Sequence, residues 1–199
     1  MGLTEHLRPA IVLLVLFTLL TGLAYPLAMT GIAQLIAPAG SGGSIVMKGD
    51  QPIGSTLIGQ LFSKDNYFWP RPSAAGQNGY DGQASSGSNF GPINPKLIER
   101  IKTEAARYPG DGPVPVDAVT ASASGLDPDI TPENAHRQAA RVAKARAMPV
   151  DQVNSLIDSH THGRMLGFVG EPHVNVLELN MALDAAAATP QAQPETPKS

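Results

Sequence analysis

Two histidines at i, i+2 spacing, His160 and His162, would share one face of a strand and could offer two imidazoles to a zinc ion. Structural zinc usually takes four ligands, and the chain has no cysteine to supply the others. The pair also falls where a helix end and a loop are expected, and imidazole suits the negative end of a helix dipole. Asp127-Pro128-Asp129 offers carboxylates to calcium, but one pair is far short of six to eight oxygen ligands. Its ordinary reading is a turn. Arg71, between Pro70 and Pro72 and close to Tyr67 and Trp69, could bind an anion or a partner carboxylate. It could equally stack on Trp69 and order its own loop. Motifs for phosphate chemistry are absent. The six lysines are Lys48, Lys64, Lys96, Lys102, Lys144 and Lys198, and none follows a glycine as a P-loop requires. No Asp-Lys pair exists for an aspartyl-phosphate loop, and neither G-x-S-x-G nor S-x-x-K occurs. Catalytic residues and a metal site are therefore expected to be none.

The elements that must position these residues begin with a long apolar segment. The chain has 199 residues, with 14 Lys plus Arg against 17 Asp plus Glu, a net charge of −3. That balance argues against nucleic acid as a partner. No charged residue occurs from Pro9 to Met47. Pro9–Met29 is uncharged and mostly apolar, and as a helix it spans about 30 Å, the thickness of a bilayer core. An uncleaved transmembrane anchor is expected rather than a signal peptide, because the apolar run continues through Ile32, Leu35 and Ile36 without a good cleavage site. Arg8 is the only Lys or Arg on the N-terminal flank, so the positive-inside bias favours a cytoplasmic N-terminus. Thr18 with Gly22, and Ala24 with Ala28, have the small-x-x-x-small spacing that lets another helix approach.

Beyond the anchor, Ala37–Gly43 reads as a flexible tether, and Ile53–Phe62 contains a short apolar run consistent with a strand. Residues 66–94 are rich in Gly, Ser, Asn and Pro. Composition alone resembles a linker, but Tyr67, Phe68, Trp69, Tyr80 and Phe90 can bury enough area to order it. Asn94-Pro95 reads as N-cap and N1 of a helix to about Tyr108. Pro113–Val119 suits an edge strand. Thr131-Pro132-Glu133 opens a helix to about Ala147, and Val150–Ser159 forms another. Asn175 and Glu178 have capping-box spacing for a last helix with Val176, Leu177, Leu179 and Leu183 buried; a strand over Val174–Leu179 competes. The tail from Thr189 is expected to be disordered. The fold class expected is mixed α/β (α+β), with residues 1–8 cytoplasmic, a membrane helix over 9–32, one small extracytoplasmic domain over 33–188, and a tail over 189–199.

Several blocks together resemble a known family. They are Gly59-Gln60-Leu61-Phe62; Tyr67-Phe68-Trp69 with Arg71-Pro72-Ser73-Ala74; Ser88-Asn89-Phe90-Gly91-Pro92 with Asn94-Pro95; and Val114-Pro115 with Asp117. Further on come Val119-Thr120-Ala121-Ser122, Ser124-Gly125-Leu126-Asp127-Pro128, Gly167-Phe168, Gly170-Glu171-Pro172 and Val174-Asn175-Val176-Leu177 with Leu179-Asn180. In this order, after an N-terminal anchor, they are similar to the KdpC family, the C subunits of bacterial Kdp potassium-transporting ATPases. Pro70, Ser86, Ala123, Asp129 and His173 stand where the resemblance leads one to expect Gly, Gly, Gly, His and Arg.

The resemblance implies a single-pass inner-membrane subunit of an ATP-driven potassium importer. Its expected partners are a channel-like subunit (KdpA), a P-type pump subunit (KdpB), a small membrane subunit (KdpF) and the bilayer. It implies no tightly bound cofactor on this chain, since the complex handles ATP and potassium. Members are described as catalytic chaperones that raise the pump's ATP affinity. With the domain outside the cytoplasm, that effect must be allosteric. The expected membrane-partner face is Thr18, Gly22, Ala24 and Ala28. The expected partner-contact loops carry Tyr67, Trp69, Arg71, Ser73, Asn89, Asn94, Thr120, Ser122 and Asp127. A membrane-anchored extracytoplasmic solute-binding protein is the alternative, and an anchored enzyme lacks a suitable constellation.

Overall fold

The computed structural model describes residues 3–110 and 112–188, and the expected tail over 189–199 lies outside them. The chain divides into two compact units, Met1–Pro52 and Ile53–Ser199. In the first, α1 (Leu3–Leu19) and α2 (Tyr25–Ile36) are joined by a π turn over Leu20–Ala24. Pro26, at the start of α2, has no N–H to offer the previous turn, and its ring crowds the carbonyl four residues back. The wider π turn accommodates it: the Tyr25 N–H donates to Leu20 O, five residues back. Apolar side chains cover this helix on all sides. His6–Ile36 is long and apolar enough to cross a membrane, the one such helix among the described residues. The Thr21 and Thr30 hydroxyls donate back to Phe17 O and Pro26 O, at 2.7 and 2.8 Å, which hides them from hydrocarbon.

Where a flexible tether was expected, Pro38–Ser41 forms one helical turn, α3, because proline suits N1 and the glycines follow it. Then β1 (Ile45–Lys48) and β2 (Gln51–Ser55) make a two-stranded sheet, with the unit boundary at Pro52. The expected strand over Ile53–Phe62 is thus shorter and starts earlier; past Ser55 only an isolated bridge to Ile58 remains.

The second unit follows its caps. Asn94 accepts from the Lys96 N–H and opens α4 (Pro95–Ala105). Thr131 accepts from the Asn134 N–H and opens α6 (Pro132–Arg146), which ends on Ala147 in the left-handed region. Between them, α5 (Val116–Val119) replaces the expected edge strand. The Asp117 carboxylate on α5 accepts from the N–H and hydroxyl of Thr131 and from Asn134 Nδ2. Next come β3 (Asp129–Ile130), ahead of α6 in the chain, and after it α7 (Val150–Ser159), β4 (Thr161–His162), β5 (His173–Asn175) and α8 (Val176–Ala188). The competing readings of the last segment each hold part of it: the strand ends at Asn175, whose Oδ1 then accepts from the Glu178 N–H. The sheet runs β3-β5-β4, all antiparallel, with Ile130 and Thr161 both opposite Val174.

Ala135, Ala139, Val142 and Ala143 line one face of α6, at helical spacing. They pack with Val153 and Ile157 of α7, Leu179 and Leu183 of α8, and Val174 of the sheet. Phe68, from the long loop, is fully buried in this core. A smaller cluster holds Trp69, Tyr108 and Ala118.

Candidate functional site

The loop over 66–94 is fastened from two sides. On the inner side, two buried amides read its backbone. Gln138 Oε1 accepts from the Trp69 N–H at 2.7 Å, and Gln138 Nε2 donates to Trp69 O at 3.0 Å. Asn180 does the same to Phe68, accepting at 2.8 Å and donating at 3.1 Å. Each amide thus completes a donor and an acceptor that would otherwise be buried unpaired. Two guanidinium groups lie over the Trp69 ring, Arg141 at 3.5 Å and Arg107 at 4.4 Å from the centroid, with Tyr108 edge-on at 5.9 Å. Burial pushes the Tyr108 phenol up to about 12 and Arg141 down to about 10, so neither changes charge near neutrality. Tyr67 donates to Asp184 Oδ2, and Arg146 bonds the same carboxylate while lying over the Tyr67 ring.

On the outer side, the loop is laced to the segment 120–127. Arg71 Nη1 donates to Asp127 Oδ2 at 2.7 Å. The Ser73 hydroxyl donates to Gly125 O at 2.6 Å and accepts from the N–H groups of Ala75 and Tyr80. The Tyr80 hydroxyl returns to Arg71 O at 2.6 Å, and burial raises its pKa. Ser122 Oγ accepts from the Gly125 N–H. Gly125 has φ +67, and a Cβ there would stand 2.6 Å from Ser86 O, so only glycine lets the two strands of chain approach this closely.

Arg71, Ser73, Ser122 and Asp127 are therefore brought together. Tyr67 and Trp69 lie on the opposite, inner side. The guanidinium groups on Trp69 belong to Arg107 and Arg141, while Arg71 pairs with Asp127, which answers the stacking reading of Arg71. Asn89, exposed at φ +53, occupies a left-handed position that asparagine tolerates, and Asn94 caps α4. The Thr120 hydroxyl donates to Val116 O and borders a cavity of about 680 Å³. Arg71, Val114, Pro115, Asp117 and Arg137 also line it. The Nε atoms of Arg71 and Arg137 are buried with no acceptor among the described residues. Thr18 lies in α1, Gly22 and Ala24 in the π turn and Ala28 in α2, all exposed.

Among the described residues no three His, Cys, Asp or Glu side chains gather as a metal site. His160 caps α7, its Nδ1 lying 2.9 Å from Leu156 O, while His162 lies on β4 and stacks on His173 at 5.4 Å. His173 Nε2 stands 4.0 Å from Asp129 Oδ2. Asp129 and His173 are thus neighbours. Burial raises the Asp129 pKa and His173 partly opposes it.

The sequence does not mark Gln138 as an organiser, and Asp117 and Asn180 stand in the family blocks without a role. The available signal was an amide on the apolar face of a helix, between Ala135, Ala139 and Val142 for Gln138 and between Leu179 and Leu183 for Asn180.

Comparison with known proteins follows the same span. A family model described as KdpC, K+-transporting ATPase, c chain, matches residues 7–185. A potassium-transporting ATPase KdpC subunit of Allorhizobium ampelinum is 56% identical over 188 residues, covering 93% of this chain and 98% of that protein. Its namesake in Variovorax paradoxus is 55% identical over 187 residues, covering 92% and 97%. That of Caulobacter vibrioides is 56% identical over 185 residues, covering 91% and 93%. With a family model spanning both the apolar helix and the folded domain, and relatives matched over nearly their whole length, the chain belongs to the KdpC family.

Proposed function

We propose that the chain is the non-catalytic accessory subunit of an ATP-driven potassium import complex. The observation that carries this is the family match from residue 7 to residue 185, which spans anchor and domain together. The partners proposed are a channel-like subunit, a P-type pump subunit and a small membrane subunit. The N-terminus would be cytoplasmic and the domain periplasmic, from the positive-inside bias of Arg8. A domain on that side cannot touch cytoplasmic ATP, so any effect on the pump's ATP affinity is a coupling through the membrane subunits. The outer loop surface around Arg71, Ser73 and Asp127, beneath which Ser122 is buried, is the contact region proposed for the domain, with Tyr67 and Trp69 holding it from within. A rigid, polar, loop-borne surface suits that task.

The test is a mild-detergent pull-down of the tagged full chain from potassium-starved cells. A polytopic channel-like chain and a P-type ATPase should come with it, with potassium-stimulated ATP hydrolysis. Recovery of the chain alone overturns the reading. Gly22→Leu sharpens it. Gly22 is exposed and a Cβ there meets nothing within 4 Å, so the side chain starts into open space among the described residues. It should lower recovery of the complex about tenfold, a loss of about 1.4 kcal/mol, with unchanged domain unfolding. The second reading, an anchored solute-binding protein, is favoured by the cavity beside Arg71 and Arg137. It requires a small anion to raise the domain's melting temperature.

A further inference from the structure

The connection between β4 and β5 ends in Met165-Leu166-Gly167-Phe168-Val169. Met165 and Val169 exchange both backbone hydrogen bonds at 2.9 Å, and Arg164 pairs with Glu171 at 2.6 Å below them. The turn is thus a closed hairpin. Its four apolar side chains nevertheless face water: Met165 is 67% exposed, Leu166 80%, Phe168 75% and Val169 42%. Leu166 has φ 55 and Gly167 φ 82, and the Phe168 N–H donates back to Met165 O. Positive φ at both central residues is the condition of a type I′ turn, for which Asn-Gly is the favoured pair. A Cβ-bearing leucine is a poor choice there, and no burial among the described residues compensates for it. Folding of the hairpin therefore does not account for Leu166.

We infer that the tip Met165–Val169 docks into an uncharged, apolar socket on another subunit of the same membrane complex. This rests on the reading that the chain works inside such a complex. Size and tethering select that occupant. Four side chains offer on the order of a few hundred Å², against about 800 Å² per partner in a self-standing interface. A second free copy would not be held by so small a contact. A subunit already beside the chain in the membrane would, because tethering replaces free association with a high effective concentration. The bilayer surface is disfavoured because the apex, though it has Leu and Phe, carries neither a Trp or Tyr to sit at headgroup level nor a Lys or Arg to meet anionic lipid. Arg164, the nearest cation, is engaged by Glu171.

The experiment uses the full chain and two variants. Leu166→Asn removes the hydrocarbon and places a favoured residue in the turn, so domain unfolding should be unchanged or shifted upward. The other subunits retained on the tagged chain should fall about tenfold, as for loss of one hot-spot side chain. In the second variant, Phe168→Cys, the new cysteine is the sole thiol of the chain. Labelled with a benzophenone maleimide, it should photo-crosslink to a different subunit. Full retention by Leu166→Asn overturns the inference. So does a Phe168→Cys adduct found only on lipid, only on a second copy of this chain, or on nothing. If the unsubstituted chain retains no other subunit, the accessory-subunit reading itself fails and the inference falls with it.

Discussion

The loop over 66–94 and the hairpin over 163–171 invert what their compositions suggest. The loop is rich in Gly, Ser, Asn and Pro and contains no helix or strand, yet Phe68 and Trp69 are buried within it. The hairpin is short, closed and apolar, yet it lies in solvent. The loop is fixed because distant side chains reach it: Gln138 and Asn180 complete its backbone from inside, and Asp127 holds the Arg71 guanidinium outside. The hairpin completes its own backbone and leaves its side chains free. Order in these two regions follows from where the polar backbone groups are satisfied, and the hydrocarbon left exposed at the hairpin tip is the surface proposed to dock.

The strongest way to break the comparison is Gln138→Ala. It leaves the Trp69 N–H and C=O buried without their partner and takes an acceptor from Arg141 Nη2. Each unsatisfied buried group costs about 1–3 kcal/mol, so a loss of about 3 kcal/mol is expected. Denaturant unfolding of the full chain in detergent measures it, and limited proteolysis should show new cleavage within 66–94. A loss below about 1 kcal/mol would mean that the amide clamp does not hold the loop.

Alkaline pH offers a second separation. Burial raises the Tyr108 phenol to about 12, whereas in the unfolded chain it titrates near the ordinary tyrosine value of about 10. Above pH 10 the unfolded state releases a proton that the folded state keeps, so stability falls as pH rises toward 12 and is flat below. Tyr80 acts in the same direction. Tyr108→Phe should make that alkaline slope shallower in melting curves taken from pH 9 to 12. The hairpin contains no tyrosine, and Leu166→Asn should leave the slope as it is.

The parts of the fold legible in the sequence are those decided by neighbours in the chain. Asn94-Pro95 and Thr131-Pro132 mark their helices because cap and first turn are adjacent, and Val150–Ser159 follows from Pro149 and the apolar spacing. The segment Pro113–Val119 misled because the role of Asp117 is set by Thr131 and Asn134, 14 and 17 residues away. The loop's restraint was legible only as far as its aromatics suggested burial. The amides that hold it are 69 and 112 residues away. Of the site residues, Arg71 and Asp127 share a family pattern in sequence, but that they pair is known only from the fold. The hairpin tip went unnoticed because Gly167-Phe168 reads locally as one more apolar stretch, and its exposure is a tertiary fact.

The smallest effect separates two ion pairs of nearly equal length. Arg71 and Asp127 meet at 2.7 Å with side chains 24% and 28% exposed, whereas Arg164 and Glu171 meet at 2.6 Å with 46% and 79% exposed. Distance alone predicts equal contributions. Desolvation and coupling predict otherwise: the Arg71 segment also carries the Tyr80 hydroxyl on its carbonyl, while the hairpin pair stands in water, where an ion pair contributes little. Arg71→Ala should therefore destabilise the domain by about 1 kcal/mol, and Arg164→Ala by less than about 0.5 kcal/mol. Raising salt to 1 M, where the Debye length is about 3 Å, should remove what remains of the second and leave most of the first. Equal losses for the two variants would show that the hairpin base is as firmly built in as the loop, and the contrast between the two regions would then reside only in the hydrocarbon of the tip.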